Sequence, residues 1–308
     1  MSTASIRSAL RWASLPLPAD PLAGQSALHY ADVGETGPLA VISCGIHGDE
    51  GPWSALAVQQ LLEQPLAQLS GRLRLVLAAN PTAVAADARN SPLDQLDLNR
   101  SFPGNRQGSH SEYLAAALLE LFQGCNTAID LHGGGSWCVN AFTFRFPGSE
   151  FLADAVGAPF VVDLALRSGH LAGQLAEQGA NIVAIEMGGR SVDELLWRDR
   201  LAQGIGRALA AAGVLTSEFP RATVARPVQD MLVLRPRSGG VFVPAVRQEA
   251  IGSCVAGGST LGTVHHLGTM EPIETLTAPY DETALLLLRP HITVLEGGAM
   301  TFVVARPS

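Results

Sequence analysis

At 308 residues the chain is long enough for one large domain, or a main domain with a smaller partner, and its core needs no metal or disulfide to fold. The net charge is −8, which argues against nucleic acid or an anionic membrane surface as a partner. All 20 basic residues are arginine, which excludes Schiff-base chemistry, a P-loop lysine and lysine-attached prosthetic groups.

Residues before about 38 form a turn-rich lead-in. Arg7 and Arg11 are followed by Pro16, Pro18 and Pro21 before any apolar signal region can form, and no stretch reaches the roughly 18 apolar residues of a membrane span. A cytoplasmic protein without a membrane partner is the expectation. The four cysteines (Cys44, Cys125, Cys138 and Cys254) are spread without a Cys-x-x-Cys pair and read as reduced and mostly buried. Residues 27–33 are a candidate edge strand.

The first informative stretch is Leu39 to Cys44, a short apolar run, followed by Gly45-Ile46-His47-Gly48-Asp49-Glu50. An apolar run ending in a glycine-flanked polar turn reads as a buried strand, and its carboxyl edge is where open α/β sheets place their chemistry. His47 and Glu50 are three residues apart, and an imidazole nitrogen with a carboxylate oxygen at that reach suits zinc. A lone His-x-x-Glu is weak evidence, so the rest of the chain must supply a third ligand, a base and substrate contacts.

Residues 52–62 have helical periodicity with proline at the start. Residues 73–79 read as the next buried strand, ending at Asn80-Pro81. Residues 89–108, which contain Asp97-Leu98-Asn99-Arg100-Ser101-Phe102-Pro103-Gly104, hold too many turn formers for regular structure and read as an ordered functional loop. Residues 111–122 are a helix with a Ser/Glu start.

Residues 126–132 then repeat the opening logic: an apolar strand ends at His132, before three glycines. In a parallel sheet this end lies near the first, so His132 is the missing third ligand. Residues 142–146 read as a strand and 169–178 as a helix. Residues 181–186 form another apolar strand, now ending in Glu186, a carboxylate costly to bury unless paired or functional. A long helix over 192–212 closes an α/β unit. From about residue 220 the pattern changes to short β-type runs between glycines and prolines. The expected division is a catalytic domain over 1–219 and a small all-β domain over 220–308. Val255-Ala256-Gly257-Gly258 and Leu295-Glu296-Gly297-Gly298 form a short internal echo within the second.

His47, Glu50 and His132 make a two-histidine, one-carboxylate set that leaves a coordination position open, as catalytic zinc sites require. Glu186 is the candidate general base, and Arg89 the candidate for polarising the scissile carbonyl. Arg100 beside Asn99 can hold a substrate carboxylate through a bidentate fork. Asp130, two residues before His132 and on the same strand face, either orients that imidazole or makes an ordinary buried bond. The remaining histidines, among them His110 and His170, read as surface or turn residues, while Trp137 follows the glycines closely enough to line a pocket.

The succession Gly45 to Glu50, Asn80-Pro81, Arg89, Asp97 to Gly104, Asp130-Leu131-His132-Gly133 and Ile185-Glu186-Met187-Gly188 resembles the succinylglutamate desuccinylase/aspartoacylase family, in its bacterial predicted-deacylase branch. That family belongs to the zinc carboxypeptidase-like hydrolases. The resemblance covers about residues 39–215. It implies an α/β fold with a mixed sheet flanked by helices, one zinc per chain on His47, Glu50 and His132, and the roles given above for Glu186, Arg89, Asn99 and Arg100. Arg167, Arg145 and Tyr280 are candidates for the further arginine and tyrosine with which aspartoacylases hold an acyl carboxylate. The C-terminal part resembles a barrel-sandwich, biotinyl/lipoyl-type hairpin fold, with Ala278-Pro279 where such folds turn; without lysine it carries no such group and instead shapes the site entrance or an oligomer contact. The expected activity is zinc-dependent removal of a short acyl group from an N-acyl amino acid or related small amine. A metallocarboxypeptidase acting on short peptides and a non-catalytic binding protein on the same scaffold are the alternatives.

Overall fold

The computed structural model describes residues 4–18, 26–190 and 193–308. In chain order its first half contains β1 (Arg11–Pro16), β2 (Ala27–Val33), β3 (Leu39–Cys44), α1 (Gly51–Leu61), β4 (Arg72–Val76), α2 (Pro81–Ala85), α3 (His110–Phe122) and β5 (Thr127–His132). Next come β6 (Val139–Arg145), α4 (Glu150–Val156), β7 (Phe160–Asp163), α5 (Leu171–Glu177), β8 (Asn181–Gly188) and α6 (Glu194–Ala211). The remainder is β: β9 (Arg226–Leu234), β10 (Gly240–Pro244), β11 (Cys254–Ala256), β12 (Thr260–His265), β13 (Pro272–Thr277), β14 (Glu282–Leu288), β15 (Thr293–Leu295) and β16 (Phe302–Pro307).

Local chemistry explains where these elements start and stop. Every residue of β3 and of β5 is buried, as expected of central strands covered on both faces. Asn80 caps α2 by accepting from the Ala83 N–H, with Pro81 at the first helical position. Ser109 and Glu112 cap α3 reciprocally, so this helix begins at His110, just before the expected 111. Asp193 caps α6 through the Leu196 N–H, and the expected start at Val192 lies outside the described residues.

The strands form a large mixed sheet in the order β1-β2-β4-β3-β5-β8-β6-β7-β9-β16-β14-β11. Its centre, β4-β3-β5-β8, is parallel; β6 runs antiparallel to β8 and parallel to β7. Strands from residue 226 onward continue this sheet, and β14 pairs back onto β6 through Leu287↔Asn140 and Leu288↔Val139. A second, antiparallel sheet has the order β13-β12-β10-β15. Alternation along β3 sends Ala40, Ile42 and Cys44 to a core shared with α1 and α6, and Leu39 and Val41 to one shared with α3 and α5. Helices thus cover both faces of the sheet, and no helix among the described residues is long and apolar enough to cross a membrane.

Some local expectations are corrected. The strand at 27–33 is internal, because the unanticipated β1 pairs on its outer side. Strand β6 begins three residues before the expected 142, because the polar Asn140 sits inside it facing the site. Helix α4 and strand β7 were not expected, being too short for periodicity to reveal. Ala278-Pro279 does not close a hairpin: it joins β13 to β14, which lie in different sheets.

Candidate active site

Three neighbouring parallel strands set the position of the motifs. Strand β3 delivers the turn with His47 and Glu50, His132 is the last residue of β5, and Glu186 is directly across from His132 in β8. The turn after β3 folds tightly because Gly45 adopts φ +71, a conformation L side chains rarely take. Gly48 then passes so close to α2 that a Cβ there would lie 2.1 Å from the Ala83 carbonyl carbon. These contacts turn the chain directly into α1 and hold His47 and Glu50 below the sheet edge.

Glu50 stands between the two imidazoles. Its Oε1 is 3.0 Å from His47 Nδ1 and its Oε2 is 3.0 Å from His132 Nδ1. One ligand atom from each of the three residues lies within 4.8 Å of the others, and all three side chains are buried. The outer nitrogen of each ring meets a second carboxylate, with His47 Nε2 3.2 Å from Asp97 Oδ1 and His132 Nε2 2.9 Å from Asp130 Oδ2. Asp130 also accepts from Ser43 Oγ at 2.6 Å. Both rings are therefore fixed by an outer carboxylate with Nδ1 aimed at one point, the arrangement that orients histidines for a metal. Among the described residues this donor set fits a divalent cation of the zinc kind: two imidazoles and one carboxylate, closely spaced and buried.

The electrostatics agree with that geometry. Burial alone would push both imidazoles toward the neutral form, but Glu50 and Asp97 at His47, and Asp130 and Glu50 at His132, together outweigh it, so both rings sit above their ordinary value. Burial opposes ionisation of Glu50 too, yet the two histidines hold it well below the usual carboxylate range. Glu186 goes the other way: burial, with the Glu50 charge adding, pushes its carboxyl up to about 7 against the pull of His132 and a hydrogen bond from Asn140. Asn140 Nδ2 donates to Glu186 Oε2 at 2.8 Å. Two carboxylates on one cavity are thus separated by environment, one ionised throughout and one titrating near neutrality.

A cavity of about 280 Å³ opens over these groups. Its walls include all the residues singled out in the sequence, namely His47, Glu50, His132, Glu186, Arg89, Asn99 and Arg100, together with Trp137. Arg89 lies beside the cluster, donating to Asp97 Oδ2 at 2.9 Å and reaching within 3.5 Å of Glu50 Oε1. Asn99 Oδ1 accepts from the Leu171 N–H at 3.1 Å, tying the long loop to the first turn of α5. Arg100 Nη1 donates to the Asn99 carbonyl oxygen at 2.8 Å, and the side chain is exposed at the mouth. Of the three further candidates, Arg167 is on the cavity wall. Arg145 and Tyr280 are not: Arg145 points to the opposite face of β6 and forks onto Asp163, and the Tyr280 hydroxyl donates to the Asp230 carbonyl oxygen.

Sequence reasoning did not assign Asp97 or Asn140. The signal for Asp97 was its place in the Asp-Leu-Asn-Arg run, but its aim at His47 depends on how the loop folds back. Asn140 is a polar residue inside an apolar strand, a pattern that marks a functional or strained position. His170, read as a surface residue, lines the cavity.

Residues 36–212 match the family model described as the succinylglutamate desuccinylase/aspartoacylase catalytic domain. The chain is 34% identical over 169 residues to an N-alpha-acetyl-L-2,4-diaminobutyric acid deacetylase of Halomonas elongata, covering 50% of this chain and 48% of that protein. It therefore matches about half the length of that curated relative. Its fold is that of a succinylglutamate desuccinylase from Silicibacter sp. TM1040, with a TM-score of 0.84, 21% identity, and coverage of 97% of this chain and 95% of that one. The product-bound ectoine utilization protein EutE (DoeB) of Ruegeria pomeroyi gives the same TM-score, 0.84, at 24% identity over 96% of this chain and 94% of that one. The chain belongs to the succinylglutamate desuccinylase/aspartoacylase family.

Proposed function

We propose, from membership of that family, that the chain is a zinc-dependent amidohydrolase that removes a short acyl group from an N-acyl amino acid or related small amine. The observation that carries this reading is the convergence in one cavity of a carboxylate-backed His47–Glu50–His132 set and a carboxyl at Glu186 tuned to about 7. His47, Glu50 and His132 would hold one zinc per chain. Zinc bound there supplies Lewis acidity, the means by which such sites make water nucleophilic at neutral pH.

The chain's own groups do the rest. Glu186 accepts the proton of the attacking water and passes it to the leaving amine nitrogen, acting as general base and then general acid. Asn140 fixes that carboxylate through Oε2, leaving Oε1 without a protein partner among the described residues. Arg89 neutralises charge developing on the scissile carbonyl oxygen, and Asp97 holds its guanidinium in place. Asn99 and Arg100 take the substrate carboxylate at the cavity mouth. Residues 1–219 form the catalytic unit, and residues 220–308 form a β unit that walls the cavity.

The test is a mass-spectrometric hydrolysis panel with zinc-loaded protein, covering N-acyl amino acids, N-acetylated diamino acids and short peptides, with Glu186→Gln as control. Release of an acid and one amino compound, lost in the control while zinc is retained, is the expected result. Amino acids cut only from peptides would overturn it.

A further inference from the structure

The chemistry of the cavity differs at its two ends, and the geometry points to a substrate whose short acyl group is apolar and uncharged, of up to about six carbons, such as a butyryl or hexanoyl group on an amino acid. The inference rests on the deacylase reading above and names the acyl class that the same site selects.

The cavity runs along β6. Register places Phe142 opposite Glu186 and Phe144 opposite Ala184, so alternation turns both rings, like Asn140, to the face that carries the base. All of these residues line the cavity. Beyond the C-terminal end of β6, the wall carries Arg167, and the Asn99–Arg100 loop meets it there through α5. Toward the N-terminal end, β14 and β16 take over, with Leu287 beside Asn140 and Val303 beside Leu287. Met231 and Met300 complete that end. Glu186 stands between them, so a substrate bound with its carboxylate at Arg100 and its amide at Glu186 projects its acyl group toward Leu287 and Val303.

That end offers nothing to a negative charge. Its lining among the described residues is aliphatic, aromatic or thiol apart from Asp49, a carboxylate that accepts from Ser136, with the Asn140 amide committed to Glu186. Arg289 is nearby but stacks 4.3 Å from the Trp137 ring centroid, gives its Nε to the Met300 carbonyl oxygen, and is absent from the lining. Arg145 and Tyr280, the other candidates for an acyl carboxylate, lie elsewhere. A dicarboxylic acyl group would bury an unpaired charge here, whereas an apolar chain would cover the wall. Two residues of strand and one inter-strand step, at right angles, separate Phe142, the partner of Glu186, from Leu287, about 8 Å in all, which suits an acyl chain of roughly six carbons, and Val303 lies one strand further.

The experiment holds the amino acid constant and varies the acyl group through acetyl, butyryl, hexanoyl, benzoyl and succinyl. Both kcat/KM and the affinity of Glu186→Gln protein for each compound are measured, in zinc-loaded protein. Each methylene buried on the wall raises affinity about fourfold, so hexanoyl should exceed acetyl by at least about tenfold, and butyryl should exceed succinyl, of equal chain length, by at least about tenfold. Met231→Arg, at a position open enough to accept it, should reverse the butyryl–succinyl order. Equal use of acetyl and hexanoyl, or a preference for succinyl, overturns the inference and leaves the deacylase standing. If no compound is hydrolysed but the binding order and its reversal hold, the apolar subsite is supported and the deacylase reading falls. Binding that ignores the acyl group overturns the subsite.

Discussion

Asp130→Asn removes one charge while preserving shape, and so isolates what the buried carboxylate behind His132 contributes. The native carboxylate accepts from Ser43 Oγ at 2.6 Å and faces His132 Nε2 at 2.9 Å, with the group only 2% exposed. An asparagine there can keep its oxygen on His132 and turn its amide nitrogen to Ser43, whose hydroxyl can accept, so no buried group need be orphaned. What is lost is the charge-assisted character of the His132 bond and the basicity it lends to Nδ1. Partners of this kind are worth about 10- to 100-fold in metal affinity, or about 1.4–2.8 kcal/mol. Asp130→Ala should do worse, because it also strips His132 Nε2 and Ser43 of their shared acceptor. Zinc affinity measured by chelator competition, with circular dichroism to verify the fold, is the assay. Equal zinc affinity in wild type and Asp130→Asn would refute the claim that the outer carboxylate tunes the site.

Glu186 links protonation to stability in metal-free protein. Its folded value, about 7, lies above its ordinary 4.5, so the folded state binds the proton more tightly, and this contribution is complete below about 4.5 and lost as pH rises through about 7. At pH 8 metal-free Glu186→Gln should therefore unfold later in urea than metal-free wild type, by up to about 3 kcal/mol, with the difference gone at pH 4; an equal gap at both pH values would contradict this. Burial raises the Cys44 thiol to about 12 and those of Cys125 and Cys254 to about 11, and raises Cys138 strongly as well. Iodoacetamide at pH 8 should thus label native protein at least about tenfold more slowly than urea-unfolded protein, counted by intact mass, and one fast-reacting native thiol would count against it. Gly48→Ala pushes a Cβ into the Ala83 backbone and should cost about 1–3 kcal/mol in urea denaturation while weakening zinc binding, because His47 and Glu50 flank the displaced residue; unchanged affinity would show that the α2 contact does not position them.

The convergence of His47, Glu50, His132 and Glu186 was legible in the sequence because these residues sit in short segments whose local pattern determines their geometry. An apolar run that ends in His132 and glycines, or in Glu186 and glycines, reads as a buried strand bringing that residue toward its carboxyl edge, and the shared order of the motifs placed those edges together. Asp97 was harder, since the conformation of a twenty-residue loop rests on its own contacts, such as the Arg89–Asp97 pair and the Asn99 bond to α5, rather than on periodicity. The pairing of β14 with β6 lay furthest out of reach. It joins residues almost 150 positions apart, and nothing in the run from Glu282 to Leu288 says which sheet it will extend. The candidates Arg145 and Tyr280 failed for a related reason: residue type nominated them, while strand phase and tertiary position turned them away.

That long-range pairing explains how the cavity divides its work. His47, Glu50, His132 and Glu186 come from the ends of β3, β5 and β8, adjacent parallel strands whose carboxyl edges cannot separate without breaking the centre of the sheet, and the long loop adds Arg89 beside them. The far wall comes from β14, β16 and β9, which reach it by extending the same sheet around β6. A substitution at Met231 or Met300 therefore alters what the cavity accepts without touching a residue that orients His47, His132 or Glu186. A change at Asp130 or Asn140 acts on the chemistry for every acyl group alike. The two classes should be separable in one data set: wall variants change the ratio of kcat/KM between acyl groups, and variants behind the metal-binding set lower all values by a common factor. If Asp130→Asn shifted the hexanoyl-to-acetyl ratio as strongly as Met231→Arg, the two walls would not be independent.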